Sequence, residues 1–178
     1  ISYFIYLLDD TRKVKQSHIS SLKVPYDFDK EALRYISMSF REDVPEDIYL
    51  SDTPWLGVPE KTAKFVEKIK DRDYAPKILE ELGSVYKEVD QNIGAIESYT
   101  ALLDLFPQYP NAHNIQAQII DLYDRLATDP EVAKKYGKDW AVNQANQARI
   151  KLFNQYGKKW AQNIKDKKER EKAIKMAR

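Results

Sequence analysis

Apolar residues return every three or four positions through most of the chain, and short polar stretches carrying proline interrupt them. Ile78, Leu79, Leu82, Tyr86 and Val89 follow this rule, as do Ile96, Tyr99, Leu103 and Phe106. Such spacing places apolar side chains on one face of an α-helix and leaves the other face to water. The eight prolines (25, 45, 54, 59, 76, 107, 110 and 130) all fall between periodic stretches or at their openings. Proline lacks an amide donor and disfavours helix in the residue before it, so this partition suits helices separated by turns. The pattern predicts helices near 1–17, 28–42, 59–73, 75–90, 92–107, 111–127, 138–156 and 158–176, and no sheet.

Residues 76–109 hold the most regular unit. In order it reads Leu79, Leu82-Gly83, Tyr86, Ala95, Tyr99 and Pro107. Gly83 falls inside the first helix, where glycine costs about 1 kcal/mol relative to alanine. That cost is expected where a second helix approaches closely, with Ala95 as the small residue opposite. Pro107 and Pro110 close the second helix.

This spacing resembles the tetratricopeptide repeat, a helix–turn–helix unit of 34 residues. Leu79 stands where that repeat often has tryptophan, and Leu102 where it usually has alanine; both exchanges keep the position apolar. The resemblance implies an all-α fold, an α-solenoid of antiparallel helix pairs in a right-handed array of three to four pairs. It also implies a role in holding other proteins. First helices of such repeats line a concave groove, here through Lys77, Glu80, Ser84, Lys87 and Glu88. Chaperone-binding members clamp a C-terminal carboxylate there with lysine and asparagine. Glu80 and Ser84 occupy those two places, so that activity is not implied.

Two internal repetitions extend the reading. Ile1–Asp9 aligns with Ile96–Asp104, with isoleucine, an aromatic, Leu-Leu and aspartate in register. The chain is thus expected to open inside the second helix of an earlier repeat and to be one domain, 1–178, cut from a longer solenoid. Tyr136-Gly137-Lys138-Asp139-Trp140 recurs as Tyr156-Gly157-Lys158-Lys159-Trp160. Each copy reads as a helix junction, with glycine closing one helix in the left-handed conformation and tryptophan opening the next. Repeats of this kind ending in Y-G-x-x-W are similar to long envelope-associated repeat proteins of Gram-negative bacteria, which act as scaffolds for secretion, motility or envelope assembly. That resemblance leans toward the periplasm or cell envelope over the cytoplasm.

Residues 44–59 depart from the helical pattern. Pro45, Pro54, Gly57 and Pro59 surround Glu46, Asp47 and Asp52, with Trp55 and Leu56 among them. The segment reads as an ordered loop inserted between two helices, pinned by Trp55.

Composition narrows the chemistry. Cysteine is absent, which removes disulfides and thiolate metal sites. No apolar run reaches the length of a membrane span. His18 and His113 stand apart with no second ligand at metal spacing, so no metal site is expected. Asp27, Asp29 and Glu31 mimic the start of a calcium loop, but Ala32 occupies the position that needs glycine. Acids favoured in the first turn of a helix explain them better. No nucleophile elbow and no phosphate-binding glycine loop occurs. The chain reads as non-enzymatic and free of cofactors.

A net charge of +1 conceals a split. Residues 1–133 hold 15 basic and 24 acidic side chains, and residues 134–178 hold 14 basic and 4 acidic. Lys165, Lys167, Lys168, Arg170 and Lys172 concentrate the excess, so a second reading has the last helix meeting an anionic surface, either lipid headgroups or nucleic acid. Little aromatic interleaving and no reading motif make nucleic acid the weaker of these partners. The split also allows head-to-tail self-association through complementary ends.

Overall fold

The computed structural model describes residues 1–16, 28–157 and 170–171. Among these the chain is all-helical, with no strand. The elements are α1 (Ser2–Gln16), α2 (Phe28–Glu42), α3 (Glu46–Tyr49), α4 (Val58–Lys68), α5 (Ala75–Glu88), α6 (Asn92–Leu105), α7 (Ala112–Leu126), α8 (Pro130–Tyr136) and α9 (Trp140–Gln155). Of the helix expected over 158–176 only 170–171 are among the described residues, and both are helical; His18 and Asp27 lie outside them. Asp29 and Glu31 occupy the first turn of α2, where the dipole favours acids.

Two short helices break the expected pattern. The 44–59 loop contains the single turn α3, closed by the Ile48 and Tyr49 amides donating to the Pro45 carbonyl. α8 begins at Pro130 because the Asp129 carboxylate accepts from the Glu131 amide, a one-residue cap the apolar period does not reveal. The helix expected to run to residue 73 ends as α4 at Lys68, its chain continuing through tight turns to Tyr74.

α5 packs most extensively on α6, and α7 on α9, with α2 against α5 and α6 against α7. One buried core runs through all of them, from Leu8 and Ile36 through Leu79, Leu82, Tyr86, Tyr99 and Leu102 to Ile115, Leu122 and Ala141. Val89, placed on the α5 stripe by period alone, lies past the helix end and is 46% exposed. Two buried polar side chains tie neighbouring helices. Ser37 donates to the Ile78 carbonyl at 3.1 Å, and the Gln116 amide donates to the Ala148 carbonyl at 3.1 Å. Each satisfies a group that burial would otherwise penalise.

Gly83 is buried, and the atoms nearest its missing side chain belong to Tyr99. A Cβ there would lie 2.7 Å from Tyr99 Cζ and closer still to Cδ1 and Cε1. The small residue thus makes room for an aromatic ring, and it is Tyr99 rather than Ala95 that comes nearest. The turn from α5 to α6 is closed by Asp90, at φ 57, in the left-handed region that aspartate tolerates. Gly137 ends α8 at φ 96 and ψ 147, which is not the left-handed helical conformation expected of it. Trp140 does open α9 and packs back on the joint. Its ring stacks on Tyr136 at 4.6 Å and meets Tyr123 edge-on at 5.8 Å.

The first repetition holds in part. Leu8 on α1 is fully buried, like Leu103 on α6, and Asp9 is bonded, as Asp104 is. Asp9 accepts from Tyr74 at 2.8 Å and pairs with Arg72, while Asp104 pairs with Lys151. Phe4, in the place of Tyr99, stacks on Tyr35 at 5.3 Å and stays half-buried.

Candidate functional site

α2, α5 and α7 follow one another through a seam of polar side chains. On one side of α5, Arg34 grips Glu88 with both nitrogens, at 3.1 and 2.7 Å, and reaches Glu81 at 3.5 Å. On the other side, Lys87 donates to the Gln118 amide oxygen at 2.8 Å. Tyr99 donates to the same oxygen at 3.3 Å, and its hydroxyl lies 3.4 Å from that of Ser84. One turn earlier Glu80 accepts from Tyr109 and, at 2.6 Å, from Asn111, which in turn accepts from Asn114.

Of the five groove candidates, four are therefore joined to neighbouring helices or turns. Glu80 is held by Tyr109 and Asn111, Ser84 stands beside Tyr99, Lys87 is held by Gln118, and Glu88 by Arg34. Lys77 is exposed. Period alone placed these five on one face but could not show that face meeting α2 and α7. Asn111, Asn114 and Gln118 were missed, yet a signal existed: they stand 34 residues after Lys77, Glu80 and Ser84. Arg34 has no such signature, because only packing brings α2 beside α5.

The seam perturbs its charges in a consistent way. The hydrogen bond to Glu88 raises the Arg34 pKa, and the bond from Arg34 lowers that of Glu88. Glu81 moves the other way, because burial penalises its charge more than Arg34 relieves it. Burial raises the Tyr99 phenol as well.

The 44–57 segment lies against the α5–α6 pair near the turn between them. Trp55 packs on Gly94, where a Cβ would meet Trp55 Cβ at 2.7 Å and Tyr86 Cδ2 at 3.2 Å. Beside it is a cavity of about 280 Å³ lined by Arg41, Tyr49, Pro54, Val89 and Gln91.

Of the basic residues proposed for an anionic surface, Lys165, Lys167, Lys168 and Lys172 lie outside the described residues, and Arg170 is half-buried. Among the described residues no three His, Asp or Glu side chains are grouped to hold a metal ion. No described helix is long and apolar enough to cross a membrane. Comparison with protein-family models, with curated proteins and with solved structures finds no match.

Proposed function

We propose that the chain is a helical-repeat module that holds a protein partner and catalyses nothing. The observation that carries this reading is the seam. α2, α5 and α7, the first helices of successive pairs in the tetratricopeptide-like reading, are joined by Arg34–Glu88 and Lys87–Gln118. Side chains one repeat apart, Glu80 and Asn114 or Ser84 and Gln118, then belong to one polar face with the exposed Lys77. A face built from equivalent positions of successive units is the surface on which solenoids take extended partners. Its mixture of acids, amides and lysines suits a partner of mixed charge. Envelope assemblies of Gram-negative bacteria remain the setting that the Y-G-x-x-W resemblance suggests.

Crosslinking in the source cell, followed by pull-down with purified chain, tests the reading. Lys77→Glu and Gln118→Arg should each weaken capture about tenfold while the circular dichroism spectrum stays helical. Capture unaffected by both substitutions rejects the seam as the binding face. The charge split supports a second reading, in which the basic residues of 134–178 meet lipid headgroups or nucleic acid. Phosphate contacts weaken steeply with salt. Binding to anionic vesicles that vanishes at high salt, and that survives both seam variants, would favour that alternative.

A further inference from the structure

The cavity under the 44–57 segment collects polar groups whose partners are missing. Arg41, on the last turn of α2, keeps only 21% of its side chain exposed, and its one ion pair among the described residues is a 3.5 Å contact with its chain neighbour Glu42. A guanidinium carries five donors, so most are left to face the cavity and water. Gln91, on the same cavity wall, has its amide oxygen buried without a hydrogen-bond partner. The Tyr86 hydroxyl is also buried and unpartnered, and it lies within the field of the Arg41 charge. Gln91 and Tyr86 are also joined through the main chain, since the Gln91 backbone N–H donates to the Tyr86 carbonyl at 3.0 Å. Isolated unsatisfied groups occur in any protein, but one on a cavity wall beside a guanidinium, with a second nearby at Tyr86, calls for an explanation.

The remaining walls are apolar or aromatic: Pro54, Val89 at 46% exposed and Tyr49 at 53% exposed. Among the described residues no carboxylate lines the cavity. At about 280 Å³ it is just below the usual range for small-molecule sites and fits an acidic group with one apolar neighbour. A single guanidinium matches the single charge of a carboxylate; a phosphate would call for a second cation, and among the described residues none lines the walls.

We propose that this cavity takes a peptide carboxylate flanked by an apolar residue, with Arg41 binding the carboxylate, Gln91 accepting from the peptide backbone, and Tyr49, Pro54 and Val89 covering the apolar side chain. The proposal rests on the reading of the chain as a partner-holding module and gives it a second contact point, separate from the seam. The carboxylate comes from an acidic side chain or from a free C terminus, and the two are separable by experiment.

The test is an NMR titration of the whole 178-residue chain with three probes. These are acetyl-Leu-Glu-Leu-amide, its Gln counterpart, and acetyl-Leu-Leu with a free terminal carboxylate. Saturable shifts at the Gln91 side-chain amide and the Val89 methyls are expected with a carboxylate probe. They should weaken about tenfold with the Gln peptide or with Arg41→Gln, and recover in part with Arg41→Lys. Gln91→Glu, which adds a charge of the same sign as the ligand's on the cavity wall, should abolish binding without altering the rest of the spectrum. Whichever carboxylate probe binds names the source. Saturable shifts of equal size for the Glu and Gln peptides, or none with any of the three probes up to about 10 mM, overturn the proposal. If the peptides fail while seam variants still lose a captured partner, the cavity falls alone. If the peptides bind and no protein partner is found, the cavity stands and the scaffold reading falls.

Discussion

The Tyr99 ring of α6 occupies the space that a side chain at Gly83 of α5 would need. Both residues are fully buried, and the Tyr99 hydroxyl continues past the contact to Gln118 on α7. One missing methyl group therefore sets the approach of α5 to α6 and, through the phenol, the position of the seam. Gly83→Ala gains about 1 kcal/mol of helix propensity, but overpacking a core typically costs about 1–3 kcal/mol. Because the overlap falls on a ring held at its far end, the variant should lose on the order of 2 kcal/mol net in urea unfolding. Tyr99→Phe in the Gly83 background should cost less, since the ring stays and only the hydroxyl's contacts go.

Trp55 on Gly94 fixes the 44–57 segment. Replacing a buried aromatic by alanine costs about 3–5 kcal/mol, and Trp55 is half-buried, so Trp55→Ala should cost about 2 kcal/mol. The sharper readout is local. Tyr49 and Leu50 are 53% and 74% exposed, and chymotrypsin should cut after them several-fold faster once the indole is gone. Unchanged cleavage would show that α3 holds itself.

The Arg34–Glu88 pair joins α2 to α5 at the surface, with side chains 37% and 52% exposed. A double-mutant cycle with Arg34→Gln and Glu88→Gln should give a coupling of about 0.5–1 kcal/mol at low salt, less at 1 M. The Glu88 pKa is depressed in the folded chain, so its contribution is present above the unfolded carboxylate pKa, near 4.3. It should disappear as pH falls through the lower folded value. A coupling constant from pH 7 to pH 3 would contradict the pairing.

His113, in the first turn of α7, has a buried Nδ1 with no partner, and burial lowers its pKa below 6.5. With the folded pKa below the unfolded one, the unfolded chain binds the proton first. Stability should then rise with pH through this window and fall as pH drops below 6.5. His113→Asn removes the titration, so wild type and variant should differ in the slope of unfolding free energy between pH 5 and 7. Parallel slopes would place the imidazole in water.

Most of the helices were legible from the return of apolar residues at every third or fourth position, because a helix needs only a local stripe to declare itself. Gly83 could be recognised as a close-approach site from its propensity cost, but its counterpart could not. Which side chain crosses from α6 depends on the angle between two helices, a property of neither sequence segment. α8 escaped notice because its start rests on one aspartate capping one amide, with no apolar period behind it. The same division runs through the candidate site. Lys77, Glu80, Ser84, Lys87 and Glu88 share a face by spacing alone, and the 34-residue interval to Asn111, Asn114 and Gln118 was written in the chain. That Glu88 meets Arg34, and that Arg41 and Gln91 line one cavity, was decided by packing. The two members of each pair are 50 or more positions apart, and only the burial of a shared core brings them together.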